Sequence, residues 1–312
     1  MTKTREDLRF ESGEEQCAAW LYRPEGAEGM NGDRAVEADR ASRSTPLVVM
    51  AHGLSGTRRD RLGPFAERFA AAGIAALVFD HRGFGDSAGE PDLFEPRRQL
   101  EDWRAAIACA RSLPHVDSER IATFGSSMGG GNALAAAAAD SRIAAAISQV
   151  PFLDIVKQSH RNHPRVSAQI MRAAALGRHL PVLGEPHEPA LLNAPGAAEG
   201  WRHVVAIGED SLWRDRVSTR WLLGRPYRPG RVAARLHCPW LVCVGESDRV
   251  ARPGPAIAAA RRAPLGELCT YPGVDHFDIY DGPAHEALLA DQLAFLRRHL
   301  LQEQPVQAGI AA

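Results

Sequence analysis

The stretch "RIATFGSSMGGGNALAAAAAD", residues 120–140, decides how the rest of this chain is read. "RIATFG" is a short apolar run of strand length, and "GGNALAAAAAD" is rich in the strongest helix former. Between them stands Gly125-Ser126-Ser127-Met128-Gly129, a G-x-S-x-G pattern with Ser127 at its centre. A serine in a Gly-rich turn is most often only a turn residue. Between a strand and a helix the spacing means more. A side chain forced onto so sharp a turn has a strained backbone and needs neighbours without Cβ atoms, which Gly125 and Gly129 supply. The Ser127 hydroxyl then stands at the carboxyl edge of a sheet, facing the unpaired N–H groups of a helix N-terminus. Ser126 turns into the packing.

Outward from this turn, several runs are apolar on consecutive rather than alternate residues: "PLVVMAHG", "GIAALVFDHRG", "RIAAAISQVP" and "CPWLVCVGESD". Strands covered on both faces by helices read this way, as in a parallel sheet. Helical periods lie between them. Leu100, Trp103, Ile107 and Ala110 share one face, and so do Leu289, Leu293, Leu296 and Leu300. Alternating strand and helix predicts an α/β architecture with a mostly parallel sheet. "DLRFES" and "CAAWLYRP" are less buried in pattern and suit an antiparallel edge. Two segments break the rhythm. Residues 25–45 are polar and aperiodic and read as a long exposed loop. Residues 152–230 carry helix-like pieces, prolines and three of the six tryptophans (Trp201, Trp213 and Trp221). That pattern predicts an inserted helical cap at 152–230, on a core made of 1–151 and 231–312.

A serine hydroxyl is a weak nucleophile until a base takes its proton, and the base needs an acid to fix its tautomer. Two later strands end in suitable groups. "LVCVGESDRV" ends in acids and "CTYPGVDHF" ends in a histidine, so Asp248 and His276 can reach the same sheet edge as Ser127. Glu246 is a rival acid. Asp275 and Asp278 are weaker rivals because they adjoin His276 in the chain. A developing oxyanion needs donors, and Gly53 of "AHGLSGT" permits close backbone approach, so the N–H groups of Leu54 and Met128 are the expected pair.

Composition narrows the function classes. Among 312 residues, 37 Lys and Arg balance 38 Asp and Glu, and no basic stripe or like-charge run points to nucleic acid. No apolar run is long enough for a membrane span, and the charged N-terminus lacks a secretion signal's apolar core, so a cytoplasmic protein is expected. Five scattered cysteines read as free thiols. His160 and His163 are spaced i, i+3 but lack a third ligand, so they read as a solvated face and no metal site is expected. "GFGDSAG" misplaces the third glycine of a dinucleotide fingerprint and reads as a loop at the site rim.

Taken together, the "HG" turn at 52–53, "FDHRGFGDSAG" at 79–89, "GSSMGG" at 125–130, "GESDRV" at 245–250 and "GVDHF" at 273–277 resemble the α/β-hydrolase superfamily from about residue 8 to 301. Within it, the chain is most similar to the bacterial serine esterase and dienelactone-hydrolase-like branch. Dienelactone hydrolases proper carry cysteine at the elbow, and dehalogenases and epoxide hydrolases aspartate. The resemblance implies an eight-stranded, mostly parallel sheet with a cap after the sixth strand. It implies Ser127 as nucleophile, His276 as base, Asp248 as acid, Leu54 and Met128 as oxyanion donors, and no cofactor. The expected reaction is two-step cleavage of a carboxylic ester with a moderate-sized apolar acyl group. Thioester, amide or C–C hydrolysis on the same fold are alternatives, and so is a non-catalytic small-ligand receptor. The expected partner is a small ester or thioester, not nucleic acid or membrane. His81, Phe84, Trp201 and Trp213 are candidate substrate contacts.

Overall fold

The computed structural model describes residues 5–25, 44–158 and 162–302. Most of the loop expected at 25–45, and His160 of the histidine pair, lie outside the described residues. In chain order the elements are β1 (Arg5–Ser12), β2 (Glu15–Tyr22), β3 (Thr45–Ala51), α1 (Gly63–Ala71), β4 (Ala75–Phe79), α2 (Pro96–Ser112), β5 (Val116–Ser126), α3 (Met128–Ala139) and β6 (Ile143–Gln149). Next come α4 (Ile155–Gln158), α5 (Pro164–Ala175), β7 (His179–Leu180), α6 (Ala197–Ala206) and β8 (Val217–Ser218). The chain then closes with β9 (Trp240–Gly245), α7 (Pro253–Ala260), β10 (Gly266–Tyr271) and α8 (Gly282–Leu296).

The main sheet has eight strands in the order β1-β2-β4-β3-β5-β6-β9-β10. β1 and β2 pair antiparallel with each other, and β2 pairs antiparallel with β4. The remaining pairings are parallel. The sheet is thus eight-stranded and mostly parallel, as expected, with an antiparallel edge where the apolar pattern is weakest.

The consecutive apolar runs have a direct cause. Side chains alternate across a strand, and here both faces are covered. Val48 and Met50 of β3 join one core face, with Phe65 and Phe69 of α1 and Leu288, Leu289 and Phe295 of α8. Leu47, Val49 and Ala51 join the other, with Trp103 and Ile107 of α2 and Ala133 and Leu134 of α3. β9 divides likewise: Leu241 and Cys243 go to the first face, and Trp240, Val242 and Val244 to the second. The segment between β6 and β9 is not purely helical. It also holds the two-residue β7–β8 ladder and short 3-10 turns. Prolines at 181, 186, 189 and 195 cannot donate to a helix ladder and keep this part of the chain in turns.

Beneath the β1–β2 hairpin lies a buried charge cluster. Asp102 of α2 accepts from Ser12 Oγ at 2.7 Å and from the Arg82 guanidinium, and lies 3.1 Å from His81 Nδ1. Burial opposes its charge. Hydrogen bonds from His81 and Ser12 and the charges of His81 and Arg82 outweigh that and hold its carboxyl below the usual range. A carboxylate with a depressed folded pKa contributes stability that is complete above its unfolded value, near pH 4, and is lost as pH falls through the folded value. Thermal melts from pH 7 to pH 3 are therefore expected to lose stability below about pH 4, and to lose less in Asp102→Asn.

Candidate active site

β5 ends at Ser126 and α3 begins at Met128, so Ser127 is the hinge between them, at φ +56° and ψ −123°. Such a backbone is costly for a residue with a Cβ and persists only when its surroundings impose it. Here Ser127 N–H donates to Gln149 O at 3.0 Å, and Ser127 O accepts from Gly130 and Phe152 amides at 3.0 and 2.9 Å. A Cβ on Gly125 would overlap the Gly129 carbonyl, and one on Gly129 would meet His52 O at 2.6 Å. The glycines therefore let α3 start directly against both β5 and the loop after β3. Ser126 is fully buried, with its Oγ 2.6 Å from Tyr280 Oη. It is a packing residue, whereas Ser127 reaches the cavity described below.

Ser127 Oγ lies 3.1 Å from His276 Nε2, and His276 Nδ1 lies 2.7 Å from Asp248 Oδ2. The other carboxylate oxygen, Oδ1, accepts the amides of Val250 at 2.9 Å and Ala251 at 2.6 Å. Both His276 and Asp248 are nearly sealed from solvent. The rival acids stand elsewhere. Glu246 is exposed, Asp275 pairs with Arg249, and Asp278 accepts the Asp275 amide.

Leu54 and Met128 come together across Gly53, where a Cβ would sit 2.5 Å from the Met128 nitrogen. Leu54 has φ +46°. Among the described residues, neither amide N–H has an acceptor. The carbonyls of the same two residues are held from behind by a buried relay. Gln99 Nε2 donates to Leu54 O at 3.1 Å, and Asn132 Nδ2 donates to Gln99 Oε1 at 2.9 Å. Tyr227 Oη shares its proton between Asn132 Oδ1 at 3.0 Å and Met128 O at 2.7 Å. Sequence reasoning missed all three relay residues. Only Asn132 left a signal, as the lone polar residue in the Gly/Ala run one helical turn after Met128.

Ser127, Leu54, Met128 and His276 open onto a cavity of about 210 Å³. Its walls are mainly apolar and include Phe152, Ile170, Val182, Leu192, Trp201, Trp221 and Phe277. His52 also lines it, with its ring on Trp201 and Tyr280 and its Nε2 on the Asp60 carbonyl. Burial pushes the His52 imidazole below its ordinary value. Of the expected substrate contacts, Trp201 lines the cavity. Trp213 stands behind it, edge-on to Trp201 at 5.9 Å, with Nε1 donating to Ser55 Oγ at 2.9 Å. His81 and Phe84 do not line this cavity. The chain after β4 folds His81 back onto Asp102, and Phe84 is buried in the core. Trp221, which was not singled out as a contact, does line it.

Among the described residues, no cluster of three His, Cys, Asp or Glu could hold a metal ion, and no helix is long and apolar enough to cross a membrane. The five cysteines are free thiols, and burial pushes Cys238 up to about 12.

The family described as serine aminopeptidase S33 matches residues 42–281. The quorum-quenching protein AidA of Acinetobacter baumannii is 40% identical over 304 residues, covering 94% of each chain. The thiohydrolase aneE of Aspergillus aculeatus is 36% identical over 128 residues, which is 41% of this chain and 40% of that one. The crystal structure of the α/β hydrolase GrgF from Penicillium superposes with a TM-score of 0.77 at 25% identity, covering 95% of this chain and 99% of that one.

Proposed function

Since the chain belongs to the serine aminopeptidase S33 family of α/β hydrolases, we propose that it cleaves carboxylic esters of moderate-sized apolar acyl groups through an acyl-serine intermediate. The observation that carries this reading is the continuous hydrogen-bond chain from Ser127 through His276 to Asp248 at an apolar cavity. His276 Nδ1–H donates to Asp248, which leaves Nε2 free to accept the Ser127 proton as Oγ attacks the acyl carbon. The carbonyl oxygen becomes an oxyanion and accepts from the Leu54 and Met128 amides. His276 returns the proton to the departing alcohol. Water then enters and gives a proton to the same nitrogen as its oxygen bonds the acyl carbon; His276 passes that proton to Ser127 Oγ as the acyl–Oγ bond breaks and the acid leaves. Residues 152–230 act as a cap whose apolar side chains hold the acyl group. The cavity is smaller than the roughly 300–1,000 Å³ of drug-sized sites, which suits a slim chain better than a bulky one.

A thioester is the second reading, favoured by the thiohydrolase relative. The AidA likeness extends over nearly the whole chain, so quorum quenching is the biological role we propose for this hydrolysis.

The test uses p-nitrophenyl esters and acyl thioesters of graded length, with a fluorophosphonate probe and mass spectrometry to locate the label. Turnover and a label on Ser127 are expected. Neither turnover nor label would make the protein a small-ligand receptor instead. Loss of an acylated signal from a quorum-sensing reporter culture tests the biological role. The oxyanion assignment has its own check. Gly53→Ala is expected to push the loop from the elbow and lower kcat about 100- to 1,000-fold, the effect of losing one donor. An unchanged kcat would show that the two amides do not act together.

A further inference from the structure

The cavity wall contributed by residues 152–230 carries a polar pair, Asn162 and Asn193, beside Ile170, Leu191 and Leu192. Their bonds determine which amide atoms are spare. Asn193 Nδ2 donates to Glu188 O at 2.8 Å and to Asn162 Oδ1 at 2.7 Å. A backbone carbonyl only accepts, so the atom facing Glu188 must be the Asn193 nitrogen, and both of its hydrogens are engaged. That fixes the rest. Asn193 Oδ1 has no partner among the described residues, and this oxygen keeps some contact with solvent although the residue as a whole is 2% exposed. Asn162 is half-buried, and its Nδ2 has no partner among the described residues. A clasp serving only the fold needs the Asn193 nitrogen alone, and its oxygen would be better replaced by a methyl group in an apolar cavity.

We propose that Asn162 and Asn193 form a subsite for a hydroxyl group carried on the acyl chain. A hydroxyl donates once and accepts, so a single group can give its proton to Asn193 Oδ1 and receive one from Asn162 Nδ2. A keto or ester oxygen only accepts and leaves Asn193 Oδ1 unmatched. A plain alkyl chain leaves both atoms unmatched and displaces whatever solvent they hold. The inference rests on the hydrolase reading above and names its substrate class: hydroxyacyl esters or thioesters with the hydroxyl on the part of the chain that lies along the cap wall.

The probes are p-nitrophenyl esters of straight-chain acids and of their monohydroxy counterparts, with the hydroxyl moved stepwise along the chain. The readout is the ratio of kcat/KM for each hydroxy ester to that for its plain partner. One hydroxyl position is expected to be preferred by up to about tenfold, the effect of one net hydrogen bond. In Asn162→Leu and Asn193→Leu that ratio should fall to about one. Asn162→Leu keeps the Asn193–Glu188 bond, so it reads out the subsite even if Asn193→Leu fails to fold. A merely structural role would lower both rates together and leave the ratio as in the wild type. Turnover of plain esters with no preferred hydroxyl position overturns the subsite alone. No turnover and no fluorophosphonate label overturn the hydrolase reading and the subsite with it.

Discussion

Ser127→Ala is expected to abolish turnover, with kcat falling by about 10⁶-fold, the scale seen when a triad nucleophile is removed. The substitution leaves the His276–Asp248 pair and the cavity in place, so it should still bind substrate and fold normally. Stability supplies a second readout. At φ +56° and ψ −123°, any residue with a Cβ carries backbone strain. Alanine keeps that strain and glycine releases it. Ser127→Gly is therefore expected to be equally inactive but more stable than Ser127→Ala by about 1 kcal/mol, after glycine's entropy cost is subtracted. Turnover retained in both variants would place the nucleophile elsewhere. Equal melting temperatures would mean that the turn is not strained.

The second large effect is at Asp248. An asparagine there must keep its oxygen toward the Val250 and Ala251 amides, which donate to Asp248 Oδ1 at 2.9 and 2.6 Å. Its NH₂ group is then forced against His276 Nδ1. The imidazole can meet that donor only by accepting at Nδ1, which puts its proton on Nε2, facing Ser127. A protonated Nε2 cannot take the serine proton. Asp248→Asn is expected to lower kcat about 10⁴-fold, with KM little changed and the fold intact. A loss of less than tenfold would show that Asp248 does not set the tautomer of His276.

Some of this site was legible in the chain and some was not. Ser127 could be singled out over Ser126 because the demand for glycine at 125 and 129 is local: it comes from backbone atoms only a few residues apart. Asp248 and His276 could be named because parallel strands deliver their ends to one edge of the sheet. β5, β9 and β10 do so here, and His276 is within hydrogen-bond reach of both Ser127 and Asp248. His81 shows where such reasoning stops. It follows a strand end as His276 does, but its partner is Asp102 of α2, beneath the β1–β2 hairpin. No spacing along the chain encodes that choice, because it depends on which charges are buried next to one another. The Gln99–Asn132–Tyr227 relay has the same character, since its members come from three separated segments.

The sequence by itself determined the layered α/β fold, the antiparallel edge and the turn at Ser127. Each of these follows from side-chain period and backbone sterics, which act over a few residues. Only the tertiary structure decided which tryptophans face the cavity, how the carbonyls of Leu54 and Met128 are anchored, and that the bonded pair Asn162 and Asn193 lines an otherwise mainly apolar cavity. Those features depend on contacts between residues tens of positions apart. They follow from how the segment between β6 and β9 packs on the sheet edge, where prolines break its helical period and leave little pattern to read.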